Sequence, residues 1–177
     1  MRNVWKDLEP GPDPPNIVYA FIEVPKGSNI KYEVDHETGI LFVDRVLHTA
    51  FSYPFNYGII PQTWYYDEDP MDIMVLSQSP VVPGCVLAVR PIAFVNMKDE
   101  AGVDNKILAV PERDPSFEKI VDLDDVPPSV LNQIRHFLEH YKDLEKEKWV
   151  KVESWDHAAI AKREIQNAMA LFKEKNK

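Results

Sequence analysis

Three aspartates, Asp67, Asp69 and Asp72, stand in the stretch YYDEDPMDIMV (residues 65–75), with Glu68 among them and an apolar run directly behind. Like charges repel, so acids gathered beside residues that read as buried need counter-charge or must take up protons. Asp67 and Asp69 are two apart and share one side of an extended segment. Pro70 then interrupts that geometry and lets Asp72 swing back toward them. A second acidic group, Asp99, Glu100 and Asp104 in MKDEAGVDNK, surrounds Gly102, a turn signal. Two such groups, each flanking a strand, can converge on one pocket. Oxygen donors with no accompanying cysteine suit hard divalent cations, Mg2+ first and Mn2+ second, rather than zinc. The competing reading of both stretches is a pair of solvated loops, where aspartate is common. An EF-hand is excluded, because counting from Asp67 puts Met71 at the fifth position, Asp72 at the glycine position and Gln78 at the twelfth.

The cationic and phenolic residues complete the chemistry. Lys31 and Glu33 share the polar face of an early strand, and Arg45 follows the next one. SYPFNYG sets Tyr53 and Tyr57 four apart, and Tyr141 and Lys142 lie at the end of a helical pattern. Ammonium, guanidinium and phenol groups are the donors that hold phosphoryl oxygens. Taken singly, Lys31 reads as a surface residue, Tyr141 as a core or edge aromatic, and Arg45 as half of an ion pair with Asp44.

Short strands must carry most of these groups. Ile17 to Val24 is a β-prone run closed by PKGSN. Ile30, Tyr32 and Val34 alternate with Lys31 and Glu33, and DHETG turns the chain into a strand from Ile40 to Val43, a hairpin. Further strands are expected at Ile73–Leu76, Val86–Met97, Lys106–Val110 and Trp149–Val152. The last third is helical in pattern. DVPPSV supplies a start, and Val130, Ile134, Phe137, Leu138 and Tyr141 form one stripe. A second helix begins near Ser154 or Asp156 and uses Ile160, Ile165, Met169 and Phe172. Strands first and helices last predict a β-rich α+β fold, a small barrel or curved sheet with helices outside, rather than an alternating parallel α/β fold.

The chain of 177 residues has the size of one ordinary domain, and 45% hydrophobic residues suffice for a core. No apolar stretch approaches the roughly 20 residues that span a bilayer. The N-terminus lacks the apolar middle of a signal peptide, and the one cysteine, Cys85, fits a reducing compartment, so a cytoplasmic protein is expected. A formal net charge of −9 argues against nucleic-acid or anionic-membrane partners. The same charge would repel a phosphate substrate unless metals or a local basic cluster reversed the field.

In order along the chain, Glu23, KYE (31–33), DR (44–45), YPFNYG (53–58), DEDPMD (67–72), KDEAGVDNK (98–106) and HFLEHYKDLE (136–145) closely resemble the soluble family I inorganic pyrophosphatases. The resemblance runs from about Val18 to Trp155, with D-x-D-P-x-D its most specific element. It implies one pyrophosphatase domain over residues 1–177, a five-stranded OB-like barrel with flanking C-terminal helices, and a homohexamer. It further implies Mg2+-dependent hydrolysis of pyrophosphate to two orthophosphates by a metal-activated water. By motif position, Asp67, Asp72 and Asp104 would hold the tightest metal, with Asp72 shared by a second ion. Asp99 and Asp104, helped by Glu100, would take an ion arriving with substrate. Glu23 and Glu33 would act nearby through water or on a further ion. Asp69 would be the general base, and Lys31, Arg45, Tyr57, Lys106, Tyr141 and Lys142 would grip the substrate, supported by Tyr53.

Three rivals are weaker. HFLEH (136–140) matches the zinc motif H-x-x-E-H, but it would leave the aspartates without a purpose. An aspartyl-nucleophile phosphatase would need a parallel α/β fold. A non-catalytic OB-type module would need a basic, aromatic groove.

Overall fold

The computed structural model describes residues 3–66 and 68–176. Among these residues nine strands, β1 (Val18–Val24), β2 (Ile30–Val34), β3 (Leu41–Val46), β4 (Asn56–Ile59), β5 (Asp72–Val75), β6 (Val86–Asp99), β7 (Gly102–Val103), β8 (Lys106–Pro111) and β9 (Val150–His157), occur with three α-helices, α1 (Val4–Asp7), α2 (Pro128–His140) and α3 (Ala158–Lys175). Five of the strands close on themselves. β1 pairs with β4, β4 with β5, β5 with β8, β8 with β6, and β6 again with β1. The β5–β8 pair runs parallel, and the other four pairings of the ring are antiparallel. The 14-residue β6 makes this closure possible: its first residues face β1 and its last seven face β9. β2 and β3 form a separate hairpin.

The ring is covered on both faces, which explains why β5 and β8 read as unbroken apolar runs. Met74, Leu108 and Val110 turn to one cluster, with Ile134, Phe137 and Leu138 of α2. Ile73, Val75, Ile107 and Ala109 turn to another, with Ala161, Ile165 and Ala168 of α3. The period-2 alternation of a strand therefore feeds two cores, and no polar face remains. β4 approaches β1 so closely that a Cβ on Gly58 would lie 1.8 Å from the Phe21 carbonyl oxygen; only glycine permits the pairing.

Several boundaries differ from the sequence-based expectation. β4 and α1 were absent from it, because four-residue elements give too little periodicity to read. β9 continues to His157, since residues 154–157 pair with β6 rather than starting a helix, and α3 begins only at Ala158. The extended geometry expected for Asp67 and Asp69 falls in part outside the described residues. The Tyr65 N–H donates to the Asp69 carbonyl at 2.8 Å, and Glu68 takes a left-handed φ of 70°, so Tyr65 and Asp69 are brought together.

Candidate active site

A cavity of about 530 Å3 opens between the mouth of the ring, the β2–β3 hairpin and the C-terminal end of α2. Every described candidate site residue lines it; Asp67 lies outside the described residues. Each wall has a structural origin. β1 supplies Glu23, the hairpin Lys31, Glu33 and Arg45, and β4 with its approach Tyr57 and Tyr53. Asp69 sits on the loop before β5, and Asp72 opens that strand. The β6–β7 turn carries Asp99 and Glu100, and Asp104 and Lys106 flank the start of β8. The α2 stripe ends at its C-cap, Tyr141, whose N–H donates to the Phe137 carbonyl; Tyr141 and Lys142 are thereby delivered to the cavity.

At the floor, Lys106 is 3% exposed. Its Nζ donates to Asp72 Oδ2 at 2.6 Å, Asp104 Oδ1 at 2.9 Å and Tyr57 Oη at 3.1 Å. Burial alone would depress this lysine, but Asp104 and Asp72 hold its pKa well above the ordinary value. Burial raises Asp104 against the pull of Lys106, and burial with Asp72 nearby raises Tyr57 well above 10. Glu23 accepts the Val34 N–H at 2.7 Å, and its burial pushes the carboxyl up to about 8. It is therefore protonated at neutral pH when no cation is near.

On the α2 side, Lys142 Nζ contacts Asp99 Oδ2 at 2.9 Å and Glu100 Oε2 at 3.8 Å. Burial would raise Asp99, yet Lys142 and the Ala101 and Gly102 N–H groups bring it below its usual range. Lys148 also bonds Glu100. On the hairpin side, Lys31 meets Glu33 at 3.1 Å and Asp44 at 3.8 Å. Arg45 is fixed between Asp44 (2.7 Å) and Glu145 (2.6 Å), so the expected Asp44 pair forms within the wall of the cavity. Asn105 ties the two acidic segments together, donating to Tyr65 Oη at 2.9 Å while accepting the Met97 N–H at 2.9 Å.

Among the described residues, seven carboxyl groups thus share the cavity with five lysine and arginine side chains. Among the described residues no three His, Cys, Asp or Glu side chains come close enough together to hold a metal ion; ammonium groups neutralise the acids instead. Lys148 and His36, which also line the cavity, escaped the sequence reading. Lys148 sits in a charged run, EKEK, with no distinguishing spacing, and His36 was absorbed into the DHETG turn.

A family model described as inorganic pyrophosphatase matches residues 20–173. The chain belongs to the inorganic pyrophosphatase family. An inorganic pyrophosphatase of Aquifex pyrophilus is 49% identical over 175 residues, covering 98% of this chain and 99% of the relative. One of Sulfolobus acidocaldarius is 51% identical, covering 92% and 95%. The crystal structure of an inorganic pyrophosphatase from Thermus thermophilus superposes with a TM-score of 0.94 at 42% identity, covering 97% of this chain and 99% of that one. Family membership removes the zinc-motif rival, and the geometry agrees. Glu139 of HFLEH is engaged by Arg135 (3.5 Å) and the Val152 N–H (3.2 Å). The His136 and His140 rings lie tilted against each other with centroids 4.6 Å apart. The mainly antiparallel ring likewise removes the fold an aspartyl-nucleophile phosphatase needs.

Proposed function

We propose that this chain hydrolyses inorganic pyrophosphate to two orthophosphates with Mg2+, Mn2+ being a substitute. The observation that carries the reading is the cavity itself, where acids from four separate segments face Lys31, Arg45, Lys106 and Lys142. Pyrophosphate is strongly anionic, and a pocket with more carboxyls than cations would reject it alone. Its entry calls for divalent ions, and the all-oxygen donors of Asp72, Asp99 and Asp104 fit hard cations. Asp67, Glu33, Glu100 and Glu23 would complete or surround that donor set, Glu23 after losing its proton. When bound, such ions lower the pKa of an attacking water and offset charge on the phosphoryl oxygens.

The residues themselves do the rest. Asp69, with a side chain 57% exposed at the mouth, is reachable by water and takes the nucleophile's proton. Burial raises its carboxyl, which favours proton acceptance nearer neutral pH. Lys106 would exchange its contacts with Asp72 and Asp104 for a phosphoryl oxygen. Arg45, already oriented by Asp44 and Glu145, presents its guanidinium for another. Lys31, Lys142, Tyr57 and Tyr141 are further donors, and Tyr53 backs Tyr57 with ring centroids 5.8 Å apart.

The finer features belong to the same reading. The closed five-strand ring is an OB-like barrel, the whole chain acts as one domain, and the protein works in the cytoplasm. Exposed Phe42, Val43 and Trp149 support self-association, a homohexamer by resemblance. No helix among the described residues is long and apolar enough to cross a membrane, and the acidic balance disfavours nucleic acid. The test is orthophosphate release from pyrophosphate by purified protein. Release that needs Mg2+ and stops with chelator is expected, and no release with Mg2+ present would overturn the assignment.

A further inference from the structure

The short N-terminal helix reaches the candidate base from outside the cavity. Asn3 caps α1 by accepting the Trp5 N–H (3.0 Å) and the Lys6 N–H (3.1 Å), and its amide donates to the His36 carbonyl at 2.8 Å. Trp5 is 3% exposed, and its indole N–H donates to the Thr63 carbonyl at 2.7 Å. The Thr63 hydroxyl in turn accepts the Met71 N–H at 2.9 Å, closing the base of the loop that carries Asp69. The Trp5 ring lies 4.6 Å from the His36 imidazole. The Nδ1 of that imidazole lies 3.3 Å from Asp69 Oδ1. One helical turn therefore braces the acid loop at its root, through Thr63, and near its tip, through His36.

We infer that His36 is a positioning residue for Asp69, held in place by Asn3 and Trp5. The inference rests on the reading of Asp69 as general base in pyrophosphate hydrolysis. A carboxylate more than half exposed samples several rotamers, and only those directed at the nucleophilic water are productive. An imidazole packed on a buried indole, on a residue whose main-chain carbonyl is held by Asn3, limits that sampling. His36 itself lies in the turn between β2 and β3, so its placement also couples Asp69 to the strand that carries Lys31 and Glu33.

The test compares His36→Ala, His36→Asn and Trp5→Leu with the unaltered protein at saturating Mg2+. Asparagine retains an N–H donor at nearly the position of Nδ1; alanine retains none. Expected are a kcat about tenfold lower in His36→Ala with KM for pyrophosphate within about twofold, recovery of most of that loss in His36→Asn, and a smaller fall in Trp5→Leu. Unchanged kcat in His36→Ala overturns the role, as does a loss that asparagine does not relieve or one confined to KM. Unchanged kcat in Trp5→Leu removes the part assigned to the N-terminal helix. If the unaltered protein releases no orthophosphate, the pyrophosphatase reading falls and the positioning role with it; release unaffected by His36→Ala defeats the positioning role alone.

Discussion

At the floor of the cavity the Lys106 side chain is 4% exposed and answers two carboxylates and a phenol, whereas at the mouth the side chains of Glu33 and Asp69 are 50% and 57% exposed. The residue types are alike and the environments are not. A buried charge is tolerable only when matched, so the floor joins the chemistry of the site to the stability of the ring. Water solvates an exposed charge on its own, so groups at the mouth can change their chemistry with little effect on the fold. The division predicts which substitutions unfold the protein and which merely silence it.

The sharpest break in the contrast is Lys106→Ala. It leaves Asp72 and Asp104 facing each other in a partly buried site, and a loss of about 2–3 kcal/mol in denaturant unfolding without divalent ions is expected. A loss below about 1 kcal/mol would erase the distinction between floor and mouth. Asp69→Asn should do the opposite. Turnover falls about 100-fold while unfolding free energy stays within about 0.5 kcal/mol, and normal turnover would remove Asp69 from the base role. Asp72→Ala should weaken Mn2+ binding about tenfold more than Asp99→Ala, because Asp72 is assigned to two ions. Calorimetric titration of the two variants decides the order.

Glu23 sharpens the comparison through pH. Its carboxyl is raised to about 8 in the folded protein from an ordinary 4.5. Between those values the unfolded chain has released this proton while the folded one keeps it. Its contribution therefore makes stability fall as pH rises across the window, by about 1.4 kcal/mol per pH unit, and has no effect below it. Unfolding curves from pH 5 to 8 in chelator should show this slope and lose it in Glu23→Gln. The smallest effect belongs to the mouth. Glu33→Gln breaks an exposed pair with Lys31 and should move stability by less than about 0.5 kcal/mol.

Local order was readable wherever pattern and length cooperated. The α2 stripe ending at Tyr141, the Ile30–Val34 hairpin strand and the apolar runs of β5 and β8 all follow from periodicity. The four residues of β4 did not, because their strand character depends on Gly58 meeting β1 rather than on their own alternation. The extra length of β9 was equally hidden, since residues 154–157 are strand through their pairing with β6. Among site residues, the acids and tyrosines announced themselves by clustering and by family motif. His36 and Lys148 carried no such signal, because each matters only through a carboxylate that is distant in the chain: Asp69 for one, Glu100 for the other.

Residue chemistry alone determined that this chain gathers oxygen donors in two segments and anion-gripping donors in four others, and that a barrel-like β-rich fold with C-terminal helices could carry them. Only the tertiary structure decided which acid faces which cation. That choice depends on ring closure bringing β5, β8 and the end of α2 within a few ångströms. Lys106 and Asp104 are two residues apart in sequence, but Lys106 and Asp72 are 34 apart and meet at 2.6 Å because their strands are parallel neighbours. Electrostatic energy depends on distance and burial, and neither is written in the order of the residues.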